Sequence, residues 1–166
     1  MNQTPRQEHV SHLPEPAVER FEDFYRREYE QAVRLAWLLT GSRVGAEDVV
    51  QDAMSGVYRS FERVESAAGY LRRAVVNRAR SWQRDERRQR DRLTLLAHQR
   101  SGIGTVDRGL LDAVGRLPYR QRVVIVTRYW GGWSENDIAR ALGCRPGTVK
   151  SLASRALSRL RAEVQP

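Results

Sequence analysis

SENDIARALGCRPGTVKSLASRALSRLR, residues 134–161, holds two helical patterns on either side of a turn. Ser134 is a residue type that caps a helix N-terminus, and Glu135 and Asp137 follow in the first turn, where acids suit the helix dipole. Ile138 and Leu142 stand four apart on one face, with Ala139 beside them. Gly143 can take the left-handed conformation that ends a helix, and Pro146 suits the first turn of the next. Beyond it Val149, Ala153, Ala156, Leu157 and Leu160 form one stripe, while Thr148, Lys150, Ser151, Ser154, Arg155 and Arg159 occupy the other faces. A short helix, a Gly turn and a longer helix with a cationic face make a helix-turn-helix pattern. Acids after Ser134 occur only at Glu135, Asp137 and Glu163, so the second helix is free of them up to Arg161. An αα-hairpin with a solvated basic face is the plainer alternative. Cap, turn, small residues and charge segregation agree with one another, which favours the helix-turn-helix.

A helix of this kind enters a major groove with its N-terminal residues toward base edges. Lys150, Ser151, Ser154 and Arg155 are the candidates for base contacts. Arg145, Thr148 and Arg159 are placed for phosphates, which orient a protein without reading sequence. The composition agrees: 29 Lys+Arg against 20 Asp+Glu give a formal charge of +9 over 166 residues. Lys150 is the single lysine, and arginine suits phosphate recognition.

Upstream, residues 119–130 (YRQRVVIVTRYW) are apolar enough to be the centre of a small bundle, ended by Gly131-Gly132. Before Pro118, Leu110, Leu111, Val114 and Leu117 share a helical face that starts near Asp107. Residues 93–106 lose this periodicity, contain Gly102 and Gly104, and read as an interdomain linker. The first half repeats the helical design. Phe21, Phe24, Tyr25, Tyr29, Val33, Ala36, Trp37 and Leu39 recur at three- and four-residue steps as far as Thr40-Gly41. A second helix is expected from about Ala46, burying Val49, Val50, Ala53, Met54, Val57, Tyr58 and Phe61. Its outward set of Glu47, Asp48, Gln51 and Asp52 is an acidic patch in a basic chain. The helix dipole accounts for acids in the first turn only, so a partner-facing surface explains Asp52 better.

Residues 62–69 read as a connection, and a third long helix then runs from Tyr70 into residue 92. Between Arg72 and Arg92 there are nine arginines and three acids. That excess exceeds solubility needs and suits a phosphate-tracking surface, with Arg80 and Arg84 in the run and Trp82 adding a π-face. Trp82 taken singly reads as core or half-buried. Asn77, inside the run, is either an ordinary surface amide or a hydrogen-bonding partner for an unstacked base edge; the residues leave both open. Residues 1–16, with Pro5, Pro14 and Pro16, are expected to be a disordered tail. The expected fold is thus all-α: two small helical bundles over residues 17–92 and 107–163.

No Gly-rich phosphate loop, metalloprotease motif, Cys pair or nucleophile elbow is present in the sequence. The lone Cys144 offers neither a disulfide framework nor a metal set. The chain is therefore read as a binding protein rather than an enzyme, with no catalytic residue, metal or cofactor. No apolar run reaches the roughly twenty residues of a membrane span, and no signal-peptide pattern opens the chain, so a cytoplasmic location without membrane insertion is expected.

Four stretches in register carry a family likeness: AEDVVQDAMSGVYRSF, GYLRRAVVNRARSWQR, RLPYRQRVVIVTRYW and SENDIARALGCRPGTVKSLASRAL. Together they resemble bacterial RNA polymerase sigma factors of the extracytoplasmic-function (ECF) group, most of all its actinobacterial subtype, over about residues 18–163. The resemblance implies sigma region 2 in the first bundle and region 4 in the second. It implies core RNA polymerase as partner, through the clamp helices of the largest subunit and the flap region, together with promoter DNA and an anti-sigma factor. Asp48, Gln51 and Asp52 match the surface for the clamp helices. Asn77 matches the residue that receives a flipped base of the −10 element, with Val64 in the loop beside it and Arg80, Trp82 and Arg84 along the same helix. Arg145, Thr148, Lys150, Ser151, Ser154, Arg155 and Arg159 fall to the −35 element. Two positions depart from the pattern: Arg145 stands where the family usually has Ser or Pro, and Leu152 where it often has Arg or a polar residue. Both bear on −35 preference. The competing readings are a stand-alone helix-turn-helix transcription regulator and an RNA-binding helical adaptor. Neither has a use for the acidic patch.

Overall fold

The computed structural model describes residues 15–92 and 108–164, and within them the backbone forms seven helices. The expected linker lies wholly outside these residues, as does the expected tail up to residue 14. Three long helices make the first bundle: α1 (Glu15–Thr40), α2 (Arg43–Ser60) and α3 (Ala67–Arg92). Four helices make the second: α4 (Arg108–Arg116), α5 (Tyr119–Tyr129), α6 (Glu135–Leu142) and α7 (Pro146–Val164).

Apolar periodicity is what brings each bundle together. Phe24, Ala32, Ala36 and Leu39 of α1 are buried against Val49, Val50, Ala53, Met54 and Val57 of α2 and against Leu71, Val75, Val76 and Ala79 of α3. Phe21 meets Tyr58 and Phe61 edge-on at 5.0 and 5.4 Å between ring centroids, fixing the start of α1 on the end of α2. In the second bundle α5 is the centre, with Gln121 to Thr127 all buried. Around it pack Ala113, Val114 and Leu117 of α4, Ile138, Ala139 and Ala141 of α6, and Val149, Ala153, Ala156 and Leu160 of α7.

Two helix starts differ from the sequence expectation. Helix α1 begins at Glu15, two residues inside the expected tail, with Pro16 in its first turn. Helix α2 begins at Arg43 rather than near Ala46, because the Ser42 hydroxyl accepts from the Gly45 N–H and caps it. Glu47 and Asp48 therefore lie beyond the first turn, where the dipole no longer accounts for them.

The two bundles do not stand apart. Helix α5 lies against α1 and α6 lies against α3, so their buried apolar residues belong to one cluster.

Candidate nucleic-acid interface

Local chemistry builds the helix-turn-helix as its sequence dictates. The Ser134 hydroxyl accepts from the Asp137 N–H at 3.1 Å, and its own proton goes to the Asp137 carboxylate. Those bonds, with Arg140 close by, hold the Asp137 carboxyl below its ordinary value of 3.8. Gly143 takes φ +60, and the Cys144 N–H returns to the Ala139 carbonyl at 2.9 Å, which closes the end of α6. Pro146 opens α7.

On α7 the buried stripe of Val149, Ala153, Ala156 and Leu160 turns every expected contact residue outward. Arg145, Thr148, Lys150, Ser151, Ser154, Arg155 and Arg159 are all exposed. Thr148, Ser151, Arg155 and Arg159 follow one another at steps of three and four along a single stripe, with Lys150 and Ser154 beside it. None of Arg145, Arg155 and Arg159 makes an ion pair among the described residues. Lys150 differs, because its Nζ lies 3.8 Å from Glu135, which also receives Arg128 at 3.0 Å. Leu152 is half-buried against the core, so it borders the cationic stripe rather than standing in it.

Helix α3 has three faces. Leu71, Val75 and Ala79 face the first bundle's core, Arg72 and Arg80 lie toward Trp133 and Tyr119 of the second bundle, and Gln83 donates to the Leu39 carbonyl of α1. The third is open and carries exposed Arg73, Asn77, Arg84 and Arg88 with half-buried Ser81. Asn77 thus has cations on either side of it and no core to face. Arg80, although exposed, lies close enough to Tyr119 to influence its ionisation. Val64 is half-buried in the loop before α3, and Asn77 sits ten residues into the helix, about 15 Å along its axis.

Trp82 is half-buried and packs against the core, as it reads when taken singly. Its indole packs on Gly45, so closely that a methyl group there would come within 2.4 Å of the ring. The ring fills the join between α2 and α3, and α3 carries it on the core side. The signal that could have revealed this is Gly45 itself, the one glycine in the opening turns of α2.

The acidic stripe lies on α2. Asp48, Gln51 and Asp52 are exposed and share one face. Asp52 Oδ2 receives Arg78 Nη1 at 3.1 Å, with 73% of the Asp52 side chain still open to solvent. A pair so exposed contributes only about 0–1 kcal/mol and exchanges readily for another cation. No helix among the described residues is long and apolar enough to cross a membrane, and no group of three or more metal-ligating side chains gathers there.

Comparison with known proteins gives two family models in succession: Sigma-70 region 2 over residues 24–89 and Sigma-70 region 4 over residues 107–160. The RNA polymerase sigma-E factor of Streptomyces coelicolor is 35% identical over 151 residues, 87% of this chain and 85% of that one. The ECF RNA polymerase sigma factor SigM of Mycobacterium tuberculosis is 34% identical over 150 residues, 84% and 74% of the two chains. Among solved structures, the sigma factor RpoE in complex with the anti-sigma factor NepR from Bartonella quintana superimposes with a TM-score of 0.74 at 26% identity, covering 90% of this chain and all of that one. CnrH in complex with the cytosolic domain of CnrY shares the fold, with a TM-score of 0.66.

Proposed function

The chain belongs to the ECF group of RNA polymerase sigma factors, and from that membership we propose which of its surfaces does which part of the work. As such a factor it binds core RNA polymerase, recognises −35 and −10 promoter elements and promotes melting, as a subunit rather than an enzyme. Residues 17–92 act as region 2 and residues 107–163 as region 4, joined by residues 93–106.

Asp48, Gln51 and Asp52 dock on the clamp helices of the largest subunit. Asn77 takes the flipped base of the −10 element, with Val64 in the neighbouring loop and Arg80 and Arg84 on the strand's phosphates. Extruding that base costs a few kcal/mol, so a pocket that fits it selects the sequence that melts. Trp82 contributes by fixing the pitch of α3 against α2, not by stacking. On α7, Lys150, Ser151, Ser154 and Arg155 face −35 base edges, while Arg145, Thr148 and Arg159 hold phosphates and region 4 meets the flap. An anti-sigma factor is the regulator expected from the relatives' complexes. The place of action is the cytoplasm, where polymerase and chromosome are.

One observation carries this assignment. A chain of net charge +9 keeps an exposed acidic stripe on α2, and among the described residues only its Asp52 is tied to an arginine, Arg78 of α3, through a solvent-open pair. A stand-alone DNA-binding regulator gains nothing from such a stripe. Co-elution with core polymerase on a sizing column tests it. Wild type should co-elute and Asp52→Arg should not, with the variant's fold unchanged by circular dichroism. Equal co-elution of the two would remove the stripe from the interface.

A further inference from the structure

Two acids stand in the first turn of α6, and they do different things. Asp137 serves its own helix, since its carboxylate takes the Ser134 proton and the Arg140 guanidinium. Glu135 turns toward the neighbouring helices. Its Oε1 receives Arg128 Nη1 of α5 at 3.0 Å, and its Oε2 lies 3.8 Å from Lys150 Nζ of α7. One carboxylate thus gives an oxygen to each of two helices. An acid placed only for the helix dipole needs neither partner.

Lys150 is the chain's single lysine, and among the described residues it is the one member of the exposed α7 set that meets a carboxylate. It lies at the start of the second turn of α7, in the part of a recognition helix that reaches base edges. Its ammonium carries three donors on a flexible four-carbon stem. Left alone, such a stem sweeps phosphates and base edges alike. A carboxylate beside it changes that choice in two ways. It tethers the stem, taking one donor and leaving two. It also repels a phosphate brought to the same ammonium, whereas a base edge is uncharged and meets no such repulsion. The Lys150 side chain is 71% exposed, so the contact biases the ammonium without burying it.

We propose that Glu135 assigns Lys150 to a base edge, that of guanine, rather than to a phosphate, and so is a positioning residue for −35 specificity. The inference rests on α7 being the −35 surface. Guanine presents O6 and N7 side by side as acceptors in the major groove, the arrangement that two free donors fit. Without the carboxylate, Lys150 becomes a contact that orients the protein and reads no sequence.

The test uses holoenzyme, reconstituted from core polymerase and the full chain, on promoters with a fixed −10 element and a randomised −35 block, each barcoded in its transcript. Counting the barcodes gives the base preference at every −35 position. Wild type should prefer guanine at one position where Lys150→Ala has no preference. Glu135→Gln keeps the shape and loses the charge. It should lower that preference about threefold, the scale of an exposed pair, and make transcription fall more steeply with salt. In the Lys150→Ala background it should change nothing at that position. Arg128→Gln removes the α5 link and leaves Glu135 to Lys150, so it should keep the wild-type preference. An effect of Glu135→Gln that persists without Lys150, or that Arg128→Gln reproduces, comes from bracing the helices and overturns the proposal. An unchanged preference in Glu135→Gln, or a loss at a base other than guanine, overturns it too. The −35 reading of α7 survives those results wherever Lys150→Ala or Arg155→Ala alters the preference. Lys150→Ala without effect beside an active Arg155→Ala overturns the proposal alone. If neither alters any −35 position, the reading of α7 fails and the proposal with it.

Discussion

Gly45 sits where the Trp82 indole leaves no room for a methyl group. Gly45→Ala must displace the ring or spread α2 from α3, an overpacking that costs about 1–3 kcal/mol. Its melting temperature should fall and its tryptophan emission shift to the red. An unchanged melting curve would mean that the contact is not tight. Asp137 gives a second expectation at this scale. Its folded pKa lies below 3.8, so its contribution to the α6 cap is complete above that pH and lost as pH falls through the lowered value. Amide exchange in α6 should rise first on acidification, and Asp137→Asn should remove that dependence. A third of the Asp137 side chain is open to solvent, so the effect stays local. Residue chemistry made the exposed set on α7 legible, because every cation there stands opposite an apolar stripe. The half-burial of Trp82 was legible too, but not its seat on Gly45, because a helical pattern places a side chain on a face without saying which helix supplies the small residue beneath it.

Among the elements, the helix-turn-helix depends most on a single backbone geometry. Gly143 sits at φ +60 with nothing near its missing Cβ, so Gly143→Ala meets no clash but pays the left-handed strain of about 1–2 kcal/mol. The variant should lose use of the −35 element while keeping polymerase binding through α2. Equal promoter use by the variant would show that the turn tolerates other geometries. On α3, Asn77→Ala should reduce permanganate reactivity of the opened −10 region, whereas Arg155→Ala should weaken only promoters that rely on the upstream element. A normal footprint in Asn77→Ala would remove it from the flipped-base pocket. Helix identities were legible from periodicity throughout, and the caps Ser134 and Gly143 from residue type. The start of α2 was not, because Ser42 is followed by Arg43, Val44 and Gly45, and Val44 points to solvent, so no apolar stripe announces that turn.

For the whole molecule, the fold class and the two-bundle plan follow from the positions of the apolar stripes, but the packing of one bundle on the other does not. The acceptors across it are the Leu39 and Val76 carbonyls, backbone groups that every residue carries. Nor do the donors stand out: Arg122 is one arginine among 28, and Tyr119 follows a proline like many turn residues. On the proposed assignment, the basic faces of α3 and α7 meet DNA through phosphates, so binding should weaken as salt rises. Initiation assays with purified core polymerase on total genomic DNA test this most directly. Adding the chain should produce discrete start sites whose upstream sequences share two blocks, at −35 and −10, that core enzyme alone does not use. Transcripts no different from those of core enzyme alone would contradict it.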